Sequence, residues 1–170
     1  MQFGEQRRPL MFTRFRSDAA TIVMAACLPC VTIGAPNVVK DFDKSTWTRI
    51  TTSLPKPSAV VFTTTDCSFC PAVIDALARD LQPKGKSRAS LFVVVMDGAG
   101  QADALLANAH YRRADGLYAF NGQDLVLRYS VNPEWRGLTP YVALIPRKGA
   151  PRFVTGQPLP ADIDTLLAAQ

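Results

Sequence analysis

Two apolar, β-branched runs of strand length stand about thirty residues apart, with a helical pattern between them. The first is Ser58, Ala59, Val60, Val61, Phe62, Thr63 and Thr64. The second is Leu91, Phe92, Val93, Val94, Val95 and Met96. Neither run alternates with polar residues, which is the pattern of a strand buried on both faces. Between them Val73, Ile74, Leu77, Ala78 and Leu81 recur at helical spacing, so residues 68–82 are predicted as a helix that ends at Pro83-Lys84-Gly85. Strand, helix, strand in this order demands a parallel pair with its crossover helix lying on the sheet.

The rest of the chain extends that unit. Asp97-Gly98-Ala99-Gly100 breaks the second strand. Residues 101–114 read as an alanine- and leucine-rich helix, with Arg112 and Arg113 at the end where the helix dipole favours cations. Residues 117–120 read as a short strand and 122–131 as a further helix. Residues 138–145 give a third strand signal, Lys148-Gly149 a turn, and 152–155 its hairpin partner. Residues 160–170 close as a helix. Early βαβ and a late hairpin predict an α/β domain with a central mixed sheet flanked by helices. Residues 36–57 read as a lead-in with a short helix at 43–53.

Residues 1–18 are polar and contain Arg7, Arg8, Arg14 and Arg16, and residues 19–35 carry no charge. A positive region, a short apolar stretch and then small residues is the layout of a secretory signal. Three readings stand beside one another: cleavage after Ala35, lipidation of Cys27 in a lipobox-like Val23-Met24-Ala25-Ala26-Cys27, and an uncleaved anchor. Met11 is an alternative start. Seventeen residues reach about 25 Å as a helix, slightly under a ~30 Å hydrocarbon core. Each reading places the rest of the chain outside the cytoplasm, in a periplasm or facing outward from a membrane, where disulfides persist.

Charge and composition exclude several classes. Of 19 basic and 14 acidic residues, 15 and 12 fall in residues 36–170. That excess is too small and scattered for nucleic-acid binding. The single histidine, His110, excludes a multi-histidine metal site and reads as an exposed or capping residue. Cys27 and Cys30 read as small apolar residues of the targeting segment.

The chemistry lies in Cys67-Ser68-Phe69-Cys70, at the junction of the first buried strand and the helix. A helix amino terminus offers free N–H groups and a positive dipole end, which favour a thiolate on Cys67. Cys70, one turn later and more buried, would resolve the mixed disulfide that Cys67 forms. A structural disulfide is a weaker reading, since so short a loop restrains the unfolded chain little. Half of a zinc site lacks partners.

Strand, CSFC, helix, strand, and then Leu138-Thr139-Pro140 at the head of a hairpin resembles the thioredoxin-like superfamily. Within it, residues 56–170 are most similar to the secreted TlpA-like or redoxin branch. The cues are the extra segment from Leu117 to Val131 and the run from Tyr129-Ser130-Val131 to Gly137-Leu138-Thr139-Pro140. The resemblance implies a cis peptide bond before Pro140, facing the cysteines, with Thr139 and Pro140 shaping the edge that a substrate meets. It also implies catalytic roles for Cys67 and Cys70, with no cofactor. Phe69 offers an apolar contact to a partner or covers the disulfide.

The chain departs from the thioredoxin pattern. The buried acid of the strand is Val61 here, and the residue before the motif is Asp66, whose charge opposes a thiolate beside it. Pro71 removes an early helix N–H and leaves the Cys67 carbonyl without that donor. Copper chaperones of this fold use CxxxC, which is absent, and the PxxxTxxC pattern of peroxiredoxins is absent too.

The resulting expectation is residues 1–35 as signal peptide or N-terminal membrane anchor, 36–55 as lead-in and 56–170 as a thioredoxin-like domain. Its function would be thiol–disulfide exchange with cysteine-containing proteins and with a membrane or periplasmic electron donor or acceptor. The same motif serves reductants, oxidants and isomerases. The alternative is a non-catalytic binding or metal-handling module, with Trp135, Tyr141 and Phe69 as protein contacts.

Overall fold

The computed structural model describes residues 1–2, 35–81 and 88–168. The expected targeting segment, with Cys27 and Cys30, lies outside the described residues. The fold below belongs to a unit spanning Thr32–Gln170.

Six strands form one mixed sheet: β1 (Val39–Phe42), β2 (Ser58–Thr63), β3 (Ser90–Val95), β4 (Gly116–Phe120), β5 (Tyr141–Ile145) and β6 (Arg152–Thr155), in the order β1-β4-β3-β2-β5-β6. β1, β4, β3 and β2 run parallel to one another; β5 is antiparallel to β2, and β6 is antiparallel to β5. The helices are α1 (Lys44–Ser53), α2 (Cys70–Asp80), α3 (Ala102–Ala107), α4 (Asp124–Val131) and α5 (Pro160–Ala168), with a 3₁₀ turn at Tyr111–Arg113. The α/β architecture expected from the sequence is present.

Every residue of β2 and β3 is buried, as their uninterrupted apolar runs require. Successive side chains serve opposite faces of the sheet. Ala59 and Val61 join one core with Val73, Ile74 and Leu77 of α2, Leu105 of α3, and Ile163 and Leu166 of α5. Val60 and Phe62 join the other with Trp47 and Ile50 of α1, and Leu127 and Val131 of α4.

Several elements differ from the sequence reading. The lead-in at 36–55 supplies β1, which pairs with β4 from Val39↔Leu117 to Phe42↔Phe120, whereas the short helix expected at 43–53 is present as α1. α1 is capped by Asp43, whose carboxylate accepts from the backbone N–H groups of Ser45 and Thr46, both at 2.9 Å. These bonds and those from the two hydroxyls hold the Asp43 carboxyl down at about 2, the hydroxyl of Ser45 contributing most. The helix expected over 101–114 ends at Ala107. There the Asn108 side chain accepts from the backbone N–H of His110 and Tyr111 and turns the chain into the 3₁₀ segment.

Candidate functional site

The end of β2 leads into two successive tight turns. The Cys67 N–H donates to the Thr64 carbonyl at 3.3 Å, and the Cys70 N–H donates to the Cys67 carbonyl at 3.3 Å. The helix therefore starts at Cys70, later than the expected residue 68, with Phe69 as its cap residue and Pro71 in its first turn. The Cys67 carbonyl, expected to lose its helical donor to Pro71, is supplied by Cys70 instead.

Cys67 and Cys70 are joined by a disulfide, with their Cα atoms 5.5 Å apart. Their exposures differ: Cys67 is half-buried, while Cys70, the first residue of α2, is 1% exposed. α2 has no acidic residue in its first turn, so its positive end is not neutralised from within the helix. Phe69 is 75% exposed. Val61 is fully buried in the aliphatic core below α2.

Pro140 lies at the same end of the sheet. β2 and β5 pair antiparallel down to Phe62↔Tyr141, so Thr63 and Pro140 stand one step beyond, where the chain leaves for the cysteines. The Thr139–Pro140 peptide bond is cis, as the resemblance implied, and a second cis bond precedes Pro57. Thr139 is half-buried and Pro140 is buried, its carbonyl accepting from Gly156 N–H at 2.8 Å.

An aromatic brace precedes that proline. The indole Nε1 of Trp135 donates to the Leu138 carbonyl at 3.0 Å, and its ring stacks on Tyr141 with centroids 4.6 Å apart. The Tyr141 hydroxyl accepts from Asn132 Nδ2 at 2.7 Å. Burial pushes the Tyr141 phenol above its ordinary value, against the lowering effect of that bond. Trp135 and Tyr141 were candidate protein contacts, but both are buried. Leu138, read from the sequence only as the residue before Thr139-Pro140, is the exposed apolar residue of this segment.

His110 does not approach the cysteines by any contact among the described residues. Its Nδ1 lies 3.0 Å from Asp75 Oδ2 on α2, and Arg113 Nε lies 2.9 Å from the other oxygen. Among the described residues, no group of three or more His, Cys, Asp or Glu side chains converges as a metal site requires.

The strand order, a CxxC between β2 and the first turn of α2, and an X-Pro at the head of β5 define a thioredoxin-like α/β fold. The chain is similar to the crystal structure of a secreted Mycobacterium tuberculosis disulfide oxidoreductase described as homologous to E. coli DsbE. Identity is 19%, the match covers 68% of this chain and 82% of that one, and the TM-score is 0.47. No family model matches the chain, and no curated protein matches it.

Proposed function

We propose that this chain is an extracytoplasmic thiol–disulfide oxidoreductase of the TlpA-like or redoxin kind. The observation that carries the reading is the unequal pair: a half-buried Cys67 and a fully enclosed Cys70 joined at the amino end of α2. In the reduced protein the Cys67 thiolate attacks a partner's disulfide, forming a mixed disulfide and expelling one partner thiolate. Cys70, as its thiolate, then attacks the Cys67 sulfur, closes the internal disulfide and expels the second. Two electrons pass to the partner, and the reverse sequence oxidises a partner dithiol. Phe69, Thr139 and Pro140 form the rim that meets an extended substrate segment. The partners are cysteine-containing proteins and a membrane or periplasmic donor or acceptor of electrons.

The compartment reading rests on the arginine-containing start and the uncharged run at 19–35. Residues 1–35 then act as signal peptide or anchor, and the remainder works where disulfides persist.

Insulin reduction with dithiothreitol as electron source tests the proposal. Cys67→Ser abolishes the activity, whereas activity retained at the wild-type level contradicts it. Cys70→Ser accumulates a mixed disulfide with its partner, which gel electrophoresis without reductant followed by mass spectrometry identifies.

A further inference from the structure

The loop that delivers Cys67 is tied to a distant part of the chain by one carboxylate. Asp97 follows β3 and lies 32 residues from Thr65. Its Oδ1 and Oδ2 accept from the Thr65 backbone N–H at 2.9 and 3.1 Å, and Oδ2 also accepts from the Thr65 hydroxyl. Asp97 is itself held, since its backbone carbonyl accepts from Gln101 Nε2 at 2.8 Å. On the other side of the loop, the Met96 N–H donates to the Thr63 carbonyl at 2.8 Å.

Thr65 is the first central residue of the turn that the Cys67 N–H closes onto Thr64. Fixing Thr65 therefore fixes where Cys67 leaves the turn. The loop is exposed at Thr65 and Asp66 and has no packed apolar side chain of its own to hold it, so hydrogen bonds must supply the order. A single side chain that accepts from both the backbone N–H and the hydroxyl of Thr65 supplies it.

We infer that Asp97 is a positioning residue for the Cys67–Cys70 pair, acting through Thr65 to hold the Cys67 sulfur within reach of Cys70. This rests on the redox reading above. Ring closure is an intramolecular attack, and its rate depends on how closely the two sulfurs are held together. Loosening the turn slows that step.

The test follows one reaction in the full chain. Reduced protein is mixed with oxidised glutathione. The Cys67 thiolate forms a mixed disulfide and releases one glutathione thiolate, and Cys70 then closes the ring and releases the second. Acid quenching with mass analysis resolves the two steps. In Asp97→Ala the closing step is slowed about tenfold, and the mixed disulfide lives correspondingly longer. Asp97→Asn keeps an oxygen for the Thr65 N–H, while the Thr65 hydroxyl turns to accept from the new amide. It restores closure to within about twofold of wild type. A structural role alone would move the melting temperature of both variants without this split.

Closure at the wild-type rate in Asp97→Ala overturns the inference. So does an Asp97→Asn variant as slow as Asp97→Ala, since charge would then be the cause. Should Asp97→Ala fail to fold, Thr65→Val decides. It removes the hydroxyl donor and keeps the backbone bonds, so closure slows about threefold if the inference holds, and unchanged closure overturns it. Failure of the redox reading itself looks different: wild-type protein then forms no transient mixed disulfide that Cys70 resolves.

Discussion

The two faces of the sheet hold the two halves of the site by different means. The face under α2 is almost wholly aliphatic, with Tyr111 as its one aromatic among the described residues, and it seats the helix whose first residue is the buried Cys70. The opposite face is aromatic: Phe42, Trp47, Phe62, Phe92, Tyr118, Phe120, Trp135 and Tyr141 pack there, with Phe153 against them. Aliphatic packing asks only for volume and shape at the back of a helix. Aromatic rings bring preferred mutual geometries and polar handles. The second kind suits the irregular segment before Pro140, which has no ladder of its own. The stack of Trp135 on Tyr141 and the indole bond to Leu138 fix it instead.

The largest effect is expected where the aromatic face is most enclosed. Phe62 is fully buried and contacts Phe42, Trp47, Trp135 and Tyr141. Phe62→Ala should cost about 3–5 kcal/mol by denaturant unfolding. If the two faces serve separate halves of the site, the reduction potential of the cysteine pair should move little in the same variant.

A smaller substitution sharpens the contrast. Trp135→Phe keeps a ring against Tyr141 and removes the indole donor to Leu138, at about 1 kcal/mol. Exchange with a protein substrate such as insulin should slow severalfold, while reaction with a small neutral disulfide stays at the wild-type rate. Equal slowing of both would place the brace under the cysteines rather than under the substrate rim.

The smallest effect is read at alkaline pH and involves both faces. Burial raises the phenols of Tyr118 and Tyr141 on the aromatic face, and of Tyr111 on the other, above the ordinary value of 10.0. A raised value means that the folded protein favours the neutral phenol. The stabilisation is whole below pH 10 and is lost as pH rises through the higher folded values. Thermal melts should therefore hold level up to about pH 9.5 and fall above 10. The fall should be shallower in Tyr118→Phe, and an identical alkaline slope in that variant would contradict the assignment.

How much of this could be read from the sequence follows the range of each interaction. β2, β3 and β5 were readable because their burial is written in consecutive residues, and β6 because the Lys148-Gly149 turn precedes it. β1 was not: it is four residues long with Lys40 and Asp41 exposed, and its strand character comes from β4, some 78 residues away. The cysteine pair and Thr139-Pro140 were readable as local motifs. Their setting was less so. Trp135 and Tyr141 look like surface contacts in the sequence and are buried because they stack on each other. Asp97 reads as a strand breaker, and its tie to Thr65 exists only once β2 and β3 lie side by side.

The reduction potential of Cys67–Cys70, measured by equilibration with glutathione buffers, tests the functional assignment. The account predicts one reversible two-electron transition between about −270 and −120 mV, absent in Cys67→Ser. A pair that stays oxidised below about −300 mV would be a structural disulfide and would contradict it.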